Sequence, residues 1–397
     1  MKLLKKLLVI YVFTIVSWII ITNYYSQNIV CVCSTSHPTD QKQIDERYTD
    51  IQIDNKIIPL SSTVTVQHVQ QVTYIQKDRT KADISLSNIT QKEKTIIGKV
   101  ITDNFRSFYV NASADQLNDP LIHQHRYIPL LNNVLKCYEK DVFLLVFVHI
   151  KTSNFEGRHL IRSTFGSISN YENKLIEYVF VLGQTKNETL QRAIKRESEH
   201  YKDIVQGNFI DSYRNLTYKL VFSLFWVNNF CNNAKFVIKM DEDISINVPR
   251  LIPYLLKKTD NNSASNILEC KMITRNKPQR RRRHKWYISL EEYPFSKFLP
   301  YCAGHSSIMS MDIVRKMYNA SKKVPFLWLE DVYGSGFLSL LSQLRISMPN
   351  CYISPVKRNL KAQPCYLFYL NNLKSVNNSI TIWETIKSHN ISMSCKC

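Results

Sequence analysis

The chain has 397 residues, 44% of them hydrophobic, which is enough for one sizeable globular core with appendages. Fifty-two Lys and Arg face 32 Asp and Glu, a net charge of +20, and that balance suits anionic partners. Nucleic acid is excluded from those partners by the location that the N-terminus implies.

The N-terminus reads MKLLKKLLVIYVFTIVSWIIITNYY. Leu7 to Thr22 carries no charge, and Lys2, Lys5 and Lys6 precede it. Basic residues stay on the cytoplasmic side, so the remainder is expected to be translocated. Residues 1–6 read as a cytoplasmic tail and 7–25 as a transmembrane signal anchor, with Tyr24 and Tyr25 extending a short span into the interface. Short spans suit the thinner membranes of the early secretory pathway. No small-x-small cleavage site follows, which favours a retained anchor over a cleaved signal peptide.

Two features agree with translocation. Asn-x-Ser/Thr sequons occur at Asn88, Asn111, Asn187, Asn215, Asn261, Asn319, Asn377 and Asn390. The ten cysteines are an even number, and in an oxidising lumen they imply disulfides whose pairing spacing alone leaves open. Residues 26–136 are polar, rich in Thr, Gln, Lys and Asp, and read as a luminal stem.

From Cys137 the composition changes, and residues 137–397 read as the main domain. Val142 to Ile150, VFLLVFVHI, has the continuous apolar character of a strand buried on both faces. Helix is expected over Glu156 to Phe165, strand over Ile176 to Leu182, and helix over Glu188 to Tyr201 and Leu216 to Phe230. A third strand is expected over Phe236 to Met240, with a helix at Val248 to Leu256. This alternation predicts an α/β fold with a mostly parallel, Rossmann-like sheet flanked by helices. Ligands of such sheets sit at the carboxyl ends of the strands. There stands the acidic triplet Asp241, Glu242 and Asp243. Clustered carboxylates repel one another unless a hard divalent cation, Mn2+ or Mg2+, stands among them. Further on, Arg280 to Arg283 read as a solvated basic loop, with a processing site or an acceptor-side anionic patch as lesser alternatives, Met311 to Ser321 as a helix, and Phe326 to Tyr333 as an apolar run that contains Glu330 and Asp331.

An ordered series of motifs from about Val142 to Gly336 resembles glycosyltransferase family 31, the Brainiac- and Fringe-related β-1,3-galactosyl- and N-acetylglucosaminyltransferases. Arg158 with Ile161 to Phe165 is similar to its Arg-x-Thr-Trp element, and Phe180 to Gly183 to Phe-x-x-Gly. Asp211 to Lys219, DSYRNLTYK, matches Asp-x-Tyr-x-Asn-Leu-Thr-x-Lys most closely. Lys239 to Asp243, Tyr293-Pro294, Tyr301 to Gly304 and Glu330-Asp331-Val332 follow in the family's order. The chain departs from the pattern at Glu242, at Ser306-Ser307 after Gly304, and at Gly334-Ser335-Gly336.

The resemblance implies a GT-A fold and metal-dependent, inverting transfer from a UDP-sugar to a glycan on a glycoprotein or glycolipid. Galactose is the expected sugar and N-acetylglucosamine the alternative. A catalytically inactive glycan-binding relative and a nucleotide-sugar hydrolase are rival readings. It implies Asp243 as metal ligand, Asp241 and Glu242 near the metal or ribose, and Asp331 as the base that takes the acceptor proton. Glu330 remains an alternative base, and both acids can instead cap the turn that follows. Arg162 and Lys219 are candidates for the donor, although Lys219 can pair with Asp211 instead. A late histidine ligand has three candidates, His284, His305 and His389. The expected setting is the Golgi membrane, single-pass type II, with the domain luminal.

Overall fold

The structure is a computed structural model that describes residues 114–260, 264–354, 365–370 and 376–388. The tail and anchor of residues 1–25 and the stem up to residue 113 lie outside the described residues. So do the sequons at Asn88, Asn111, Asn261 and Asn390, and Cys31, Cys33, Cys395 and Cys397. Among the described residues no helix is long and apolar enough to cross a membrane.

The continuous apolar run forms strand β2, Val142–His149, buried at every residue. It lies in the middle of a sheet because both its faces need cover. Strands β4 (Lys174–Gln184) and β6 (Phe236–Asp241) flank it in parallel, and β5 (Ile204–Ile210) joins β4 in parallel. The full order is β1-β5-β4-β2-β6-β9-β8, with the two-residue β3 (Asn170–Tyr171) paired to β4. Outside the parallel centre the pairings turn antiparallel. β1 (Pro129–Leu131) runs against β5, β9 (Tyr301–Ser310) against β6, and β8 (Leu268–Ile273) against β9. The architecture is therefore α/β with a parallel core and antiparallel edges.

Helices α1 (Phe155–Ser163), α2 (Glu188–Tyr201), α3 (Leu216–Phe230), α4 (Val248–Asp260) and α5 (Met311–Ser321) fall within a few residues of the predicted spans. Asn154 caps α1 by accepting from Gly157 N, and Asn187 caps α2 by accepting from Leu190 N. By spacing alone, Leu216, Leu220, Val221, Leu224 and Val227 give α3 one apolar face. The helix is instead buried nearly all round, with Leu220, Phe222, Leu224 and Trp226 packed among neighbours that include α5.

A second sheet follows from the acidic motif. β7 (Ile244–Ile246), two residues past Glu242, pairs with β11 (Phe368–Leu370), and β10 (Ile353–Ser354) runs parallel to β11. A last helix, α6, spans Val376–Ser388. Disulfides join Cys137 to Cys231 and Cys270 to Cys302, and Cys351 and Cys365 are also disulfide-bonded.

The packed region begins upstream of Cys137, inside the segment whose polarity reads as stem. Ile122 and Tyr127 are buried there, His123 Nε2 meets Val324 O at 2.9 Å, and His125 stacks on Tyr318. Scattered apolar pairs dock because polar neighbours between them find partners on the domain.

At the carboxyl ends of the central strands the backbone is knitted by side chains. Asp211 accepts from Gly183 N at 2.8 Å and pairs with Lys219 Nζ at 2.8 Å, which also donates to Ile150 O at 2.9 Å. Gly183 is obligatory here. A Cβ would lie 2.7 Å from Phe209 O and 2.8 Å from Asp211 N, both main-chain atoms. Gly183→Ala is therefore expected to destabilise the domain by about 1–3 kcal/mol, as overpacking does. Chemical denaturation of the purified protein checks this, and an unchanged midpoint contradicts the close approach.

Candidate active site

β6 ends at Asp241 beside His149 of β2, and the chain turns through Glu242 and Asp243 into β7. Period-two alternation puts Lys239 and Asp241 on one side of β6. The buried Lys239 ammonium meets Asp241 Oδ1 at 2.7 Å and Glu330 Oε2 at 3.5 Å, and donates to Gly304 O. Burial alone would depress this amine, but Asp241 and Glu330 hold it above its ordinary range. One lysine from the middle of the sheet thus gathers the triplet, β9 and the Glu330-Asp331 pair.

Asp331 belongs to the same cluster. A Cβ on Gly304 would sit 3.7 Å from Asp331 Cβ and 3.9 Å from Glu330 Oε2, so the pair stands against β9 at Gly304. Asp331 Oδ1 accepts from Val332 N, capping the π-type turn Val332–Leu338. The capping that the sequence allowed is present, and Asp331 also lines a cleft. Burial raises Asp331 above the usual carboxylate range and pushes Glu330 up to about 7, the latter despite the opposing pull of Lys239.

These residues line a cleft of about 530 Å³. Asp241, His305, Glu330 and Asp331 form its acidic side, with Tyr213, Trp286 and Trp328 opposite in chemistry. Asp243 lies just beyond Asp241. Its Oδ1 is buried without a hydrogen-bond partner, and burial followed by the charge of Asp241 pushes it up to about 6. An orphaned carboxylate oxygen beside a second carboxylate fits a hard divalent cation. Among the described residues no three His, Cys, Asp or Glu side chains stand together as a preformed cage. One or two carboxylates suffice where substrate phosphates complete the coordination.

The other sequence candidates are placed differently. Glu242 accepts from Asn154 Nδ2 at 2.8 Å and Lys151 N at 3.2 Å, so it secures the loop between β2 and α1. Arg162 pairs with Asp203 and Glu197 at 2.7 Å each and lies over the Tyr201 ring, and it is not among the residues lining the cleft. Lys219 makes the pairing with Asp211 described above. His284 and His305 both line the cleft, and His305 Nε2 is buried without a partner, whereas His389 lies outside the described residues.

Sequence reasoning passed over the aromatic wall. Tyr213 sits inside the Asp211 to Lys219 motif, and Trp286 directly follows the basic run. An exposed-type Trp in a charged loop is the one signal that pointed to it.

Comparison with known proteins bears on this site. A model of the galactosyltransferase family matches residues 156–351. The chain is 34% identical over 212 residues to beta-1,3-galactosyltransferase 1 of Mus musculus, covering 53% of this chain and 64% of that protein. It is 34% identical over 197 residues to beta-1,3-galactosyltransferase 5 of Pan paniscus, covering 50% of this chain and 64% of that protein. Both matches therefore span less than two thirds of the relative. Over 258 residues it is 32% identical to lactosylceramide 1,3-N-acetyl-beta-D-glucosaminyltransferase A of Xenopus laevis, covering 62% of this chain and 68% of that protein. A shared sequence of that reach, with the family match of residues 156–351 spanning the strand-end acids, means that the chain belongs to the galactosyltransferase family, glycosyltransferase family 31.

Proposed function

We propose that the protein is a metal-dependent, inverting β-1,3-glycosyltransferase of GT-A fold that moves galactose from UDP-galactose onto a glycan of a glycoprotein or glycolipid. The observation that carries this is the cleft lined by Asp241 and Asp331, with Asp243, which does not itself line the cleft, two residues past Asp241, close enough to feel its charge, and with its Oδ1 buried without a partner. The acceptor oxygen forms a bond to the anomeric carbon as the bond from that carbon to the UDP oxygen breaks. The electron pair of the broken bond leaves on the β-phosphate, and the acceptor proton passes to Asp331. Val332 N fixes Oδ1 of Asp331, which leaves Oδ2 for that proton. Burial makes this carboxylate a better base than a free one. Glu330 is less suited, because its Oε2 is engaged by Lys239.

Asp243, with Asp241 beside it, would hold Mn2+ or Mg2+. When bound, the ion supplies Lewis-acid stabilisation of the departing diphosphate. UDP-N-acetylglucosamine is the alternative donor, favoured by the name of the Xenopus laevis relative. Apolar residues 7–25 and the disulfides Cys137–Cys231 and Cys270–Cys302 support a Golgi single-pass type II protein with a luminal domain.

A panel of UDP-sugars, each with and without acceptor, tests the activity. Sugar transfer is expected with one donor; absence of UDP release with every donor refutes the transferase, and release without an acceptor product means hydrolysis. Asp243→Ala is expected to abolish Mn2+-dependent turnover and weaken Mn2+ binding measured by calorimetry at least about tenfold. Ligation requires the ionised carboxylate, and this one titrates at about 6. Mn2+ affinity should thus be full above that pH and fall as the pH drops through it, approaching about tenfold per unit for one proton. Flat affinity between pH 7 and 5 contradicts the ligand. Asp331→Asn should retain UDP binding while kcat drops about 10²–10⁴-fold, as loss of a general base does. Full activity in that variant places the base elsewhere.

A further inference from the structure

The cleft is divided by charge. Its floor carries Asp241, Glu330 and Asp331 against one lysine, Lys239. Its rim carries Lys277, His284 and Lys285, with Arg281, Arg282 and Arg283 exposed on the same loop. Among the described residues none of Lys277, Lys285 and Arg281 to Arg283 forms an ion pair, and the nearby charge of Arg282 is felt by Glu291.

The rim loop is built rather than loose. Arg280 does not share the solvated fate expected of the run. Its guanidinium donates to the carbonyls of Ile288, Ser289, Tyr293 and Phe295, closing the loop from inside. Gln279 and Tyr287 bridge, and Ile288 N donates to Gln279 O. Trp286 Nε1 then donates to Tyr213 OH at 2.7 Å, tying the loop to the start of α3. The result is an aromatic wall that water still reaches, with Trp286 52% and Tyr213 44% exposed. Lys285 Nζ stands 4.3 Å over the Tyr213 ring. Trp328 completes the wall. It is only 5% exposed, yet its buried Nε1 has no acceptor among the described residues.

Aromatic side chains with a cation over one of them and an unused N–H donor suit a ring that is apolar on one face and bears an acid. The acidic floor repels such a group and the rim attracts it. We propose that this rim is an acceptor subsite for an acidic saccharide, a sugar carrying sulfate or carboxylate, seated on Trp286 and Tyr213 with its acid against Lys285 and the Arg281 to Arg283 run. The proposal rests on the transferase reading of the same cleft and adds the chemical class of the acceptor.

The test is calorimetric binding to the purified protein saturated with Mn2+ and UDP, so that the donor's phosphates are already in place. The probes are N-acetyllactosamine and its 6-sulfated form. The sulfated sugar is expected to bind about tenfold tighter at low salt, the sum of several exposed charge contacts, and the preference should shrink near 0.5 M salt. Combined substitution of Arg281, Arg282, Arg283 and Lys285 by Ser should erase the preference while UDP affinity stays within about twofold. Trp286→Ala should weaken both sugars together. All these side chains are exposed, and an unchanged melting temperature shows that each variant is folded. Equal affinity for the two sugars, or binding of neither, overturns the proposal. A fall in UDP affinity in the four-residue variant also overturns it, because the cations then serve the donor diphosphate. Failure of the transferase reading is seen separately, as no UDP release with any acceptor while the charge preference persists.

Discussion

One buried ammonium sets the positions of the carboxylates in the cleft. Removing a lysine from water costs several kcal/mol, and only good geometry offsets it. Lys239 has three N–H donors, and Asp241, Glu330 and Gly304 O take them. The partners come from β6, from the segment before the π-type turn, and from β9. The three elements therefore meet at this amine. It also leaves the cluster net negative. Asp243 and Glu330 are both pushed upward for that reason as well as by burial. The proposed metal would offset the negative charge that Lys239 alone does not.

Behind the cleft, two further ion-pair groups keep the strand ends rigid. Lys219, Asp211 and Gly183 N tie β2, β4 and the end of β5 together. Arg158, fully buried, donates to Lys151 O and Thr152 O and pairs with Glu197, while Arg162 bridges Glu197 and Asp203. These groups touch the loop from which Asn154 reaches Glu242. Two of the motif residues read as donor contacts, Arg162 and Lys219, thus hold the backbone that presents the acids. Mutating a support of this kind can resemble mutating the site itself, since small displacements of reacting groups are costly.

Much of the parallel core was legible because β2, β4 and β6 are apolar on both faces, and composition alone reports that. β5 was not. Its sequence, IVQGNFI, interrupts the apolar run with Gln206, yet Gln206 is fully buried because Gly183 O and Gln191 take its amide. β9 hid in the same way behind His305, Ser306 and Ser307, the last two of which pair with β6 at Met240 and Lys239. A polar residue in a strand is readable only when its partner is known, and those partners are distant in sequence. The acidic triplet was conspicuous since like charges placed together are costly without a purpose. The aromatic wall was not, because Tyr213 and Trp286 are 73 positions apart and meet only when the loop is closed by Arg280.

The departures after Val332 are best understood as a compensated pair. Gly334 lies where a Cβ would come within 2.5 Å of Leu220 Cδ2, so the glycine lets the turn press onto α3. Ser335 then donates to Asp331 O and accepts from Cys302 N at 2.7 Å. Cys302 is itself fixed to Cys270 of β8. A glycine-containing segment would otherwise be loose, but here a hydroxyl joins it to the first residues of β9. The π-type turn, a form that recurs at functional sites, is held at its start by Asp331 and in its middle by Ser335. The unusual residues therefore preserve the position of Asp331 against Gly304, which weighs against an inactive relative. Their chemistry leaves Asp331, the proposed base, in place and alters only how it is supported.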